Sequence, residues 1–256
     1  MGCSESKEVE GSNAFQSVSA VKPSAQKNQR PKRSPRPSPR PGAPVHEVWT
    51  SEYFLEVEQL VLQEINRLRT DPRSMGQELA RHQKNLVVEG TKVSLCDSVF
   101  RRGTPIELVE GRVSFDELVQ ELCAAMPVKC LLKELIPGLI LTCRDEVRAL
   151  RDDVPGNLNP QQRLAPYGSC DRVERLLFVG DTNPFSIVSL LAMEDGNPKR
   201  QLRRILRDPE LREVGIAHSI SSKGEPITVI YLCSGFKEKS APEDDTMLTL
   251  QKAREW

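Results

Sequence analysis

The chain has 256 residues, 38% of them hydrophobic, and its 36 lysines and arginines are balanced by 36 aspartates and glutamates. That length holds one large domain or two small ones with a sizeable core, but no run reaches the roughly 18 apolar residues a bilayer-spanning helix needs, since the longest, Leu131 to Leu141, is broken by Lys133, Glu134 and Pro137. The neutral total hides an asymmetry: residues 1–46 carry eight Lys/Arg against Glu5, Glu8 and Glu10, a balance of +5, which leaves the rest at −5.

The chain opens Met-Gly-Cys-Ser-Glu-Ser-Lys. Gly2 after Met1, with Ser6 four positions on, fits the N-myristoylation pattern, and Cys3 stands where a palmitoyl group would add a second chain. One myristoyl chain binds membranes only marginally, so stable anchoring needs a second signal. A basic run supplies another: Lys22, Lys27, Arg30, Lys32, Arg33, Arg36 and Arg40, with no acidic residue among them. Each such charge is worth about 1 kcal/mol at an anionic cytoplasmic leaflet. The start is polar and has no apolar core of a secretory signal. These features predict an anchored protein at the cytoplasmic face of a plasma membrane or endomembrane. Ser34-Pro35 and Ser38-Pro39 lie inside the basic run and are candidate phosphorylation sites, where each phosphate would add about −1.5 to −2 charges and weaken the membrane hold.

Seven prolines between Pro23 and Pro44, with few apolar side chains, predict a disordered, extended tail over residues 1–46. Order is expected from 47 to 236, followed by a flexible charged tail over 237–256 whose end, Met247 to Trp256, reads as a short amphipathic helix. From Ser51 the residues Phe54, Val57, Val61, Ile65 and Leu68 recur at helical spacing. Asp71-Pro72 ends that helix. A short helix around Leu79 and strands within Leu86–Val93 follow. Ser114 with Glu117 predicts a capping box opening a helix to about Ala125. Pro137-Gly138 leads into a helix with Ile140, Val147 and Leu150 on one face. Residues 153–169 are rich in Pro, Gly and Asn and read as loop. Pro184 begins a helix to about Glu194, and Lys199–Arg207 forms another. Glu213–His218 and Pro226–Cys233 read as strands, the second without alternation and therefore central in its sheet.

Two stretches, DRVERLLFVGDTN and LLAMEDGNPKRQLRRILRDPELREVGIAHS, resemble the CAP superfamily, the SCP-like domain of cysteine-rich secretory, antigen 5 and pathogenesis-related proteins. The residues carrying the likeness are Asp171, Arg172, Val173 and Arg175; Gly180, Asp181 and Asn183; Asp195, Gly196 and Pro198; and Val214 with Gly215. Asn66, Arg69 and Pro72 in EINRLRTDP extend it, with an insertion after the first helix. The resemblance implies an α/β (α+β) fold, a three-layer α/β/α sandwich. It also implies a cleft that in many members holds a metal through two histidines and carboxylates. Here the cleft is degenerate: Leu202 stands in place of one histidine, Asp181 in place of a glutamate, and Gly156–Ser169 has no histidine. His46, His82 and His218 fall elsewhere. No metal and no cofactor is therefore expected.

Other chemistry is thin. Seven cysteines include Cys3 and six scattered residues, Cys96, Cys123, Cys130, Cys143, Cys170 and Cys233, with no C-x-x-C pair, so free thiols are expected. No phosphate-cradling loop, nucleophile elbow or zincin motif occurs. His218 and Cys233 on the two closing strands are a weak base–nucleophile candidate against a reading as core and strand-edge residues. Glu194 and Asp195 are expected to be solvated at a helix-to-turn boundary. Lys199, Arg200, Arg203, Arg204 and Arg207 form a basic stripe, read as a solvated face paired with Glu210 and Glu213, or else as a headgroup contact. Nucleic acid is not expected, because the body is acidic and lacks aromatics interleaved with that stripe. The sequence therefore points to a non-catalytic, lipid-anchored membrane-surface protein whose CAP-like domain binds a lipid or protein ligand. The alternatives are a hydrolase acting through the cleft and a membrane-tethered interaction scaffold.

Overall fold

The computed structural model describes residues 50–101, 104–152 and 158–239. Helix α1 (Ser51–Thr70) begins where the Thr50 hydroxyl accepts the Tyr53 N–H, and it buries Val57, Val61, Ile65 and Leu68, the stripe its spacing predicts. Asp71 ends it and at once caps α2 (Pro72–His82), its carboxylate accepting the Ser74 N–H with Pro72 in the first turn. An Asp-Pro pair thus stops one helix and starts the next, because proline lacks the N–H that a first turn leaves unused. A three-stranded antiparallel sheet follows, β1 (Leu86–Glu89), β2 (Lys92–Leu95) and β3 (Ile106–Leu108), in that order.

The middle of the chain corrects several expectations. Helix α3 (Arg112–Ala124) starts two residues before Ser114, with Gly111 at its N-cap and no side-chain cap. Ser114 is fully buried inside the helix and donates its hydroxyl to Asp195, 2.8 Å away, so the predicted capping box does not form. In α4 (Pro137–Arg151) the buried face is Leu139, Cys143, Glu146 and Val147, while Ile140 sits half-buried to one side. The stretch read as loop contains a helical turn, α5 (Pro160–Leu164), closed by a reciprocal Asn159–Gln162 capping box, and a short strand, β4 (Gly168–Ser169).

The main sheet is built from β5 (Arg172–Val179), β6 (Glu213–Ile220) and β7 (Pro226–Ser234), antiparallel in the order β5-β7-β6. Strand β7 is central, as its unbroken apolar run predicts. Strand β5 has no counterpart in the sequence reading. Between these strands come α6 (Pro184–Met193) and α7 (Gln201–Leu206). Lys237–Glu238, placed in the flexible tail by sequence, instead forms β8 against β4. Residues 240–256 of that tail, with the helix expected at Met247 to Trp256, and the whole of residues 1–46 lie outside the described residues.

Alternation along the sheet sets the layers. Leu176, Val214, Ile216, Ile230 and Leu232 join one core with α1, α2, α3 and α6, whereas Ala217, Val229 and Tyr231 join Cys143 and Val147 of α4 on the other face. The protein is α+β, with helices on both faces of an antiparallel sheet. One edge of β6 is partly covered: Leu135 bridges Val214 in parallel, and the Ile136 N–H donates to the Val214 carbonyl at 2.9 Å.

Candidate functional site

Two cavities flank α1. The larger, about 320 Å³, is lined by Tyr53, Glu56, Val57 and Leu60 of α1, Ser98, Val99, and Asp181 through Pro184. It brings together Asp181 and Asn183, two of the residues of the degenerate cleft. Both have structural work there. Asn183 is the N-cap of α6, its amide oxygen accepting the Ser186 N–H. Asp181 is 3% exposed, and its carboxylate accepts the N–H groups of Arg101, Thr182 and Asn183 and the Ser186 hydroxyl. Four donors leave little acceptor capacity for substrate or metal. Leu202 does not line this cavity; its side chain packs against the main core from α7, and its N–H donates to Glu194 at 2.7 Å.

Two residues of the basic stripe, Arg200 and Arg203, have been recruited inward, while Lys199 and Arg204 are exposed as a solvated face would be. Arg203 is 1% exposed and donates to the Ala192 carbonyl (2.8 Å) and to Glu117 (3.3 Å), and it pairs with Glu121. Arg200 is buried among Glu110, Glu117 and the Glu194 and Asn197 carbonyls. Their partners come from α3 and the turn before it, not from Glu210 and Glu213, because α3 packs beside α6 and presents its carboxylates to α7. Glu194 is likewise buried, accepting from Asn197 and Leu202. Asp195 accepts the Val109 and Glu110 N–H groups and the Ser114 hydroxyl. Neither is the solvated residue expected from sequence. Arg200 and Arg203 thus tie α3 and the turn before it to α7.

His218 and Cys233 do not meet. His218 pairs in register with Thr228 and Cys233 with Glu213, five positions apart, or about 17 Å along the strands. Burial raises the Cys233 thiol far above its ordinary value, so it is no ready thiolate. His82 is taken up by Asp97, its Nδ1 at 2.5 Å, and by the rings of Phe100 and Phe185. His46 lies outside the described residues, as do Gly2, Cys3, the seven basic residues of the tail, Ser34 and Ser38. Among the described residues no group of three His, Cys, Asp or Glu side chains is placed to hold a metal ion, and no helix is long and apolar enough to cross a membrane.

The second cavity is formed by residues the sequence reading did not bring together. It holds about 130 Å³ where α1, α4 and the outer edge of β6 meet, lined by Phe54, Leu55 and Glu58, by Arg144, Val147, Arg148 and Arg151, and by Ala217, His218 and Ser219. Glu58 is 2% exposed. Its Oε1 accepts the His218 N–H at 3.1 Å, and Arg144 Nη2 stands 3.6 Å from its Oε2, an ion pair beyond hydrogen-bond length. Burial outweighs Arg144 and the backbone donor and pushes the carboxyl up to about 7. His218 is 4% exposed, with Nδ1 and the Thr228 hydroxyl 2.7 Å apart, the ring of Phe54 edge-on, and Nε2 without a hydrogen-bond partner among the described residues. Burial holds it down at about 4, so the imidazole is neutral at pH 7. The sequence signal was present but faint: an acidic residue on the apolar stripe of α1 and a histidine within an apolar strand.

These two groups pull stability in opposite directions with pH. Glu58 has a folded value above its unfolded one, so its contribution is complete below about pH 4.5 and is lost as pH rises through about 7. His218 has a folded value below its unfolded one, so its contribution is complete above about pH 6.5 and is lost as pH falls towards 4. Between those limits they offset each other. In Glu58→Gln the histidine acts alone, and the unfolding free energy from urea titration should fall, relative to wild type, by about 2–3 kcal/mol between pH 6.5 and 4.5. Parallel profiles for the two proteins would disprove the pairing.

No protein-family model matches the chain, and no curated protein matches it. Among solved structures, an outer surface protein from Borrelia burgdorferi is similar over 41% of this chain and 80% of that chain, at 14% identity and a TM-score of 0.34.

Proposed function

We propose that this chain is a non-catalytic, membrane-tethered binding protein, held at the cytoplasmic face through acylated Gly2 and Cys3 and its basic tail, and carrying a CAP-like domain as its ligand-binding module. The observation that carries the tethering is the coincidence of Gly2, Cys3 and Ser6 with seven downstream basic residues free of acidic neighbours. Two weak signals acting on one surface add their free energies, which is how marginal myristoyl binding becomes stable. The non-catalytic reading is supported by Asp181, whose carboxylate is engaged by four donors, three of them in its own loop and helix cap, and by Leu202, which packs into the core where the family has a histidine. Helices on both faces of the main sheet support the layered fold that the resemblance implies, and residues that carry the resemblance have structural work in this chain. Asn66, for example, clamps the Leu132 backbone through both its amide atoms at 2.7 and 2.8 Å.

Membrane fractionation with myristate and palmitate labelling tests the reading. Wild type should pellet with membranes and carry both labels. Gly2→Ala should lose both and become soluble, while Cys3→Ser should keep myristate and partition weakly. Ser34→Glu/Ser38→Glu should cut binding to anionic vesicles severalfold without touching the labels. An unlabelled, soluble wild type would refute the tethering.

A further inference from the structure

We propose that the cavity between α1, α4 and the outer edge of β6 is a binding site for a phosphate monoester group, which takes Arg144 over from Glu58. This goes beyond the tethered-binding reading and does not depend on acylation.

The site holds a buried nitrogen without a partner. His218 lines the cavity nearly fully buried, its Nδ1 engaged with Thr228 and its Nε2 unpaired among the described residues. A buried polar atom in that state costs free energy unless something fills the space. Three arginines about one helical turn apart, Arg144, Arg148 and Arg151, line the same space from α4, and guanidinium groups suit phosphate oxygens because they present paired donors in a plane. Arg148 and Arg151 pair with Asp145 at 3.7 Å and Asp152 at 3.1 Å, and both pairs are half-exposed. Such pairs are worth about 0–1 kcal/mol and are readily exchanged.

Size and polarity narrow the ligand. A volume near 130 Å³ equals about four waters, enough for a phosphate and the first carbons of its ester but not for an acyl chain. Phe54, Leu55, Val147 and Ala217 give those carbons an apolar wall.

Glu58 is the coupling element. The groups facing it are Arg144, with Cys143, Arg148 and Arg151 nearby on α4, and His218 on β6, which in turn feels Asp181. An ionised Glu58 competes with the ligand for Arg144 and repels its charge; a protonated Glu58 releases Arg144 and can donate to a phosphate oxygen. Binding should therefore take up a proton, and Gln at this position should mimic the protonated state.

Titration calorimetry with glycerol 3-phosphate on the full-length, unacylated chain tests this at pH 7 and 8, using two buffers of different ionisation enthalpy. Wild type should bind, take up close to one proton at pH 8, and weaken severalfold from pH 7 to 8. Glu58→Gln should bind about tenfold tighter than wild type at pH 8, the factor expected for a group titrating near 7, and take up no proton. Arg148→Gln/Arg151→Gln changes half-exposed side chains and should weaken binding at least tenfold while leaving the melting temperature unchanged. No heat with millimolar ester, equal affinity in the double variant, or weaker binding by Glu58→Gln would each overturn the proposal. Vesicles of phosphatidate against phosphatidylserine at matched charge separate the two sources of such a group. A preference for phosphatidate that is lost in the double variant assigns a lipid headgroup, and glycerol 3-phosphate binding without that preference assigns a soluble ester.

Discussion

Gly215→Ala should lower the unfolding free energy by about 3 kcal/mol, and Gly215→Val should not fold. Gly215 lies on β6 facing α4, where a Cβ would come within 2.5 Å of the Leu139 Cβ and 2.6 Å of its carbonyl oxygen. Real Cβ atoms do not approach backbone this closely, and neither neighbour can swing away. Leu139 is fully buried in the first turn of α4, and the chain just before it is fixed to β6 through Leu135 and Ile136. The methyl group can be admitted only by lifting α4 off the sheet, which opens the contacts of Cys143 and Val147 with Ala217, Val229 and Tyr231. Ala217→Gly, two residues along the same face, should cost only about 1 kcal/mol. Urea denaturation of the pair checks the claim, and a loss below about 0.5 kcal/mol for Gly215→Ala would show that α4 does not pack this closely.

Arg69→Ala should be the most damaging substitution of a charged residue, at about 4 kcal/mol. Arg69 is completely buried, and its Nε and Nη1 donate to the Leu206 and Leu211 carbonyls at 2.7 and 2.9 Å. Those carbonyls lie at the end of α7 and in the turn leading into β6, so one α1 side chain holds the return of the chain to its sheet. Truncation orphans both acceptors, each worth about 1–3 kcal/mol, and leaves a cavity as well. Arg69→Met restores most of the volume and none of the donors, so it should recover the smaller share. Arg203→Ala makes the contrast. Its carboxylate partners Glu117 and Glu121 are half exposed and rehydrate when the arginine is lost. That leaves one buried acceptor, the Ala192 carbonyl, orphaned where Arg69 leaves two, so the cost should be smaller. Thermal melts of the three variants order these effects. Recovery of nearly the whole loss in Arg69→Met would show that packing and not hydrogen bonding is what Arg69 contributes.

Neither Arg69 nor Gly215 announces its role in sequence. An arginine amid Asn66, Leu68 and Thr70 reads as a helix surface residue, and a glycine between Val214 and Ile216 reads as a weak point in a strand. Both stood among the residues carrying the family likeness, and the structure supplies a packing reason for each. The basic stripe on α7 shows the reverse error. Its spacing was legible, but nothing in it foretold that α3 would offer Glu117 and Glu121 across the interface.

The sequence by itself determined what depends on local rules. The helical stripe of α1, the Asp71-Pro72 break, the proline starts of α4 and α6 and the central position of β7 follow from periodicity, from proline's missing N–H and from an unbroken apolar run. The tail's basic, proline-rich composition is equally a property of sequence alone. Tertiary structure decided which charges are buried, that Asp181 is saturated by donors 1, 2, 5 and 80 residues away, and that Glu58 and His218, 160 residues apart, share one cavity. The physical reason is that a titratable group's behaviour is set by desolvation and by its partners, and both are fixed only when distant segments pack together.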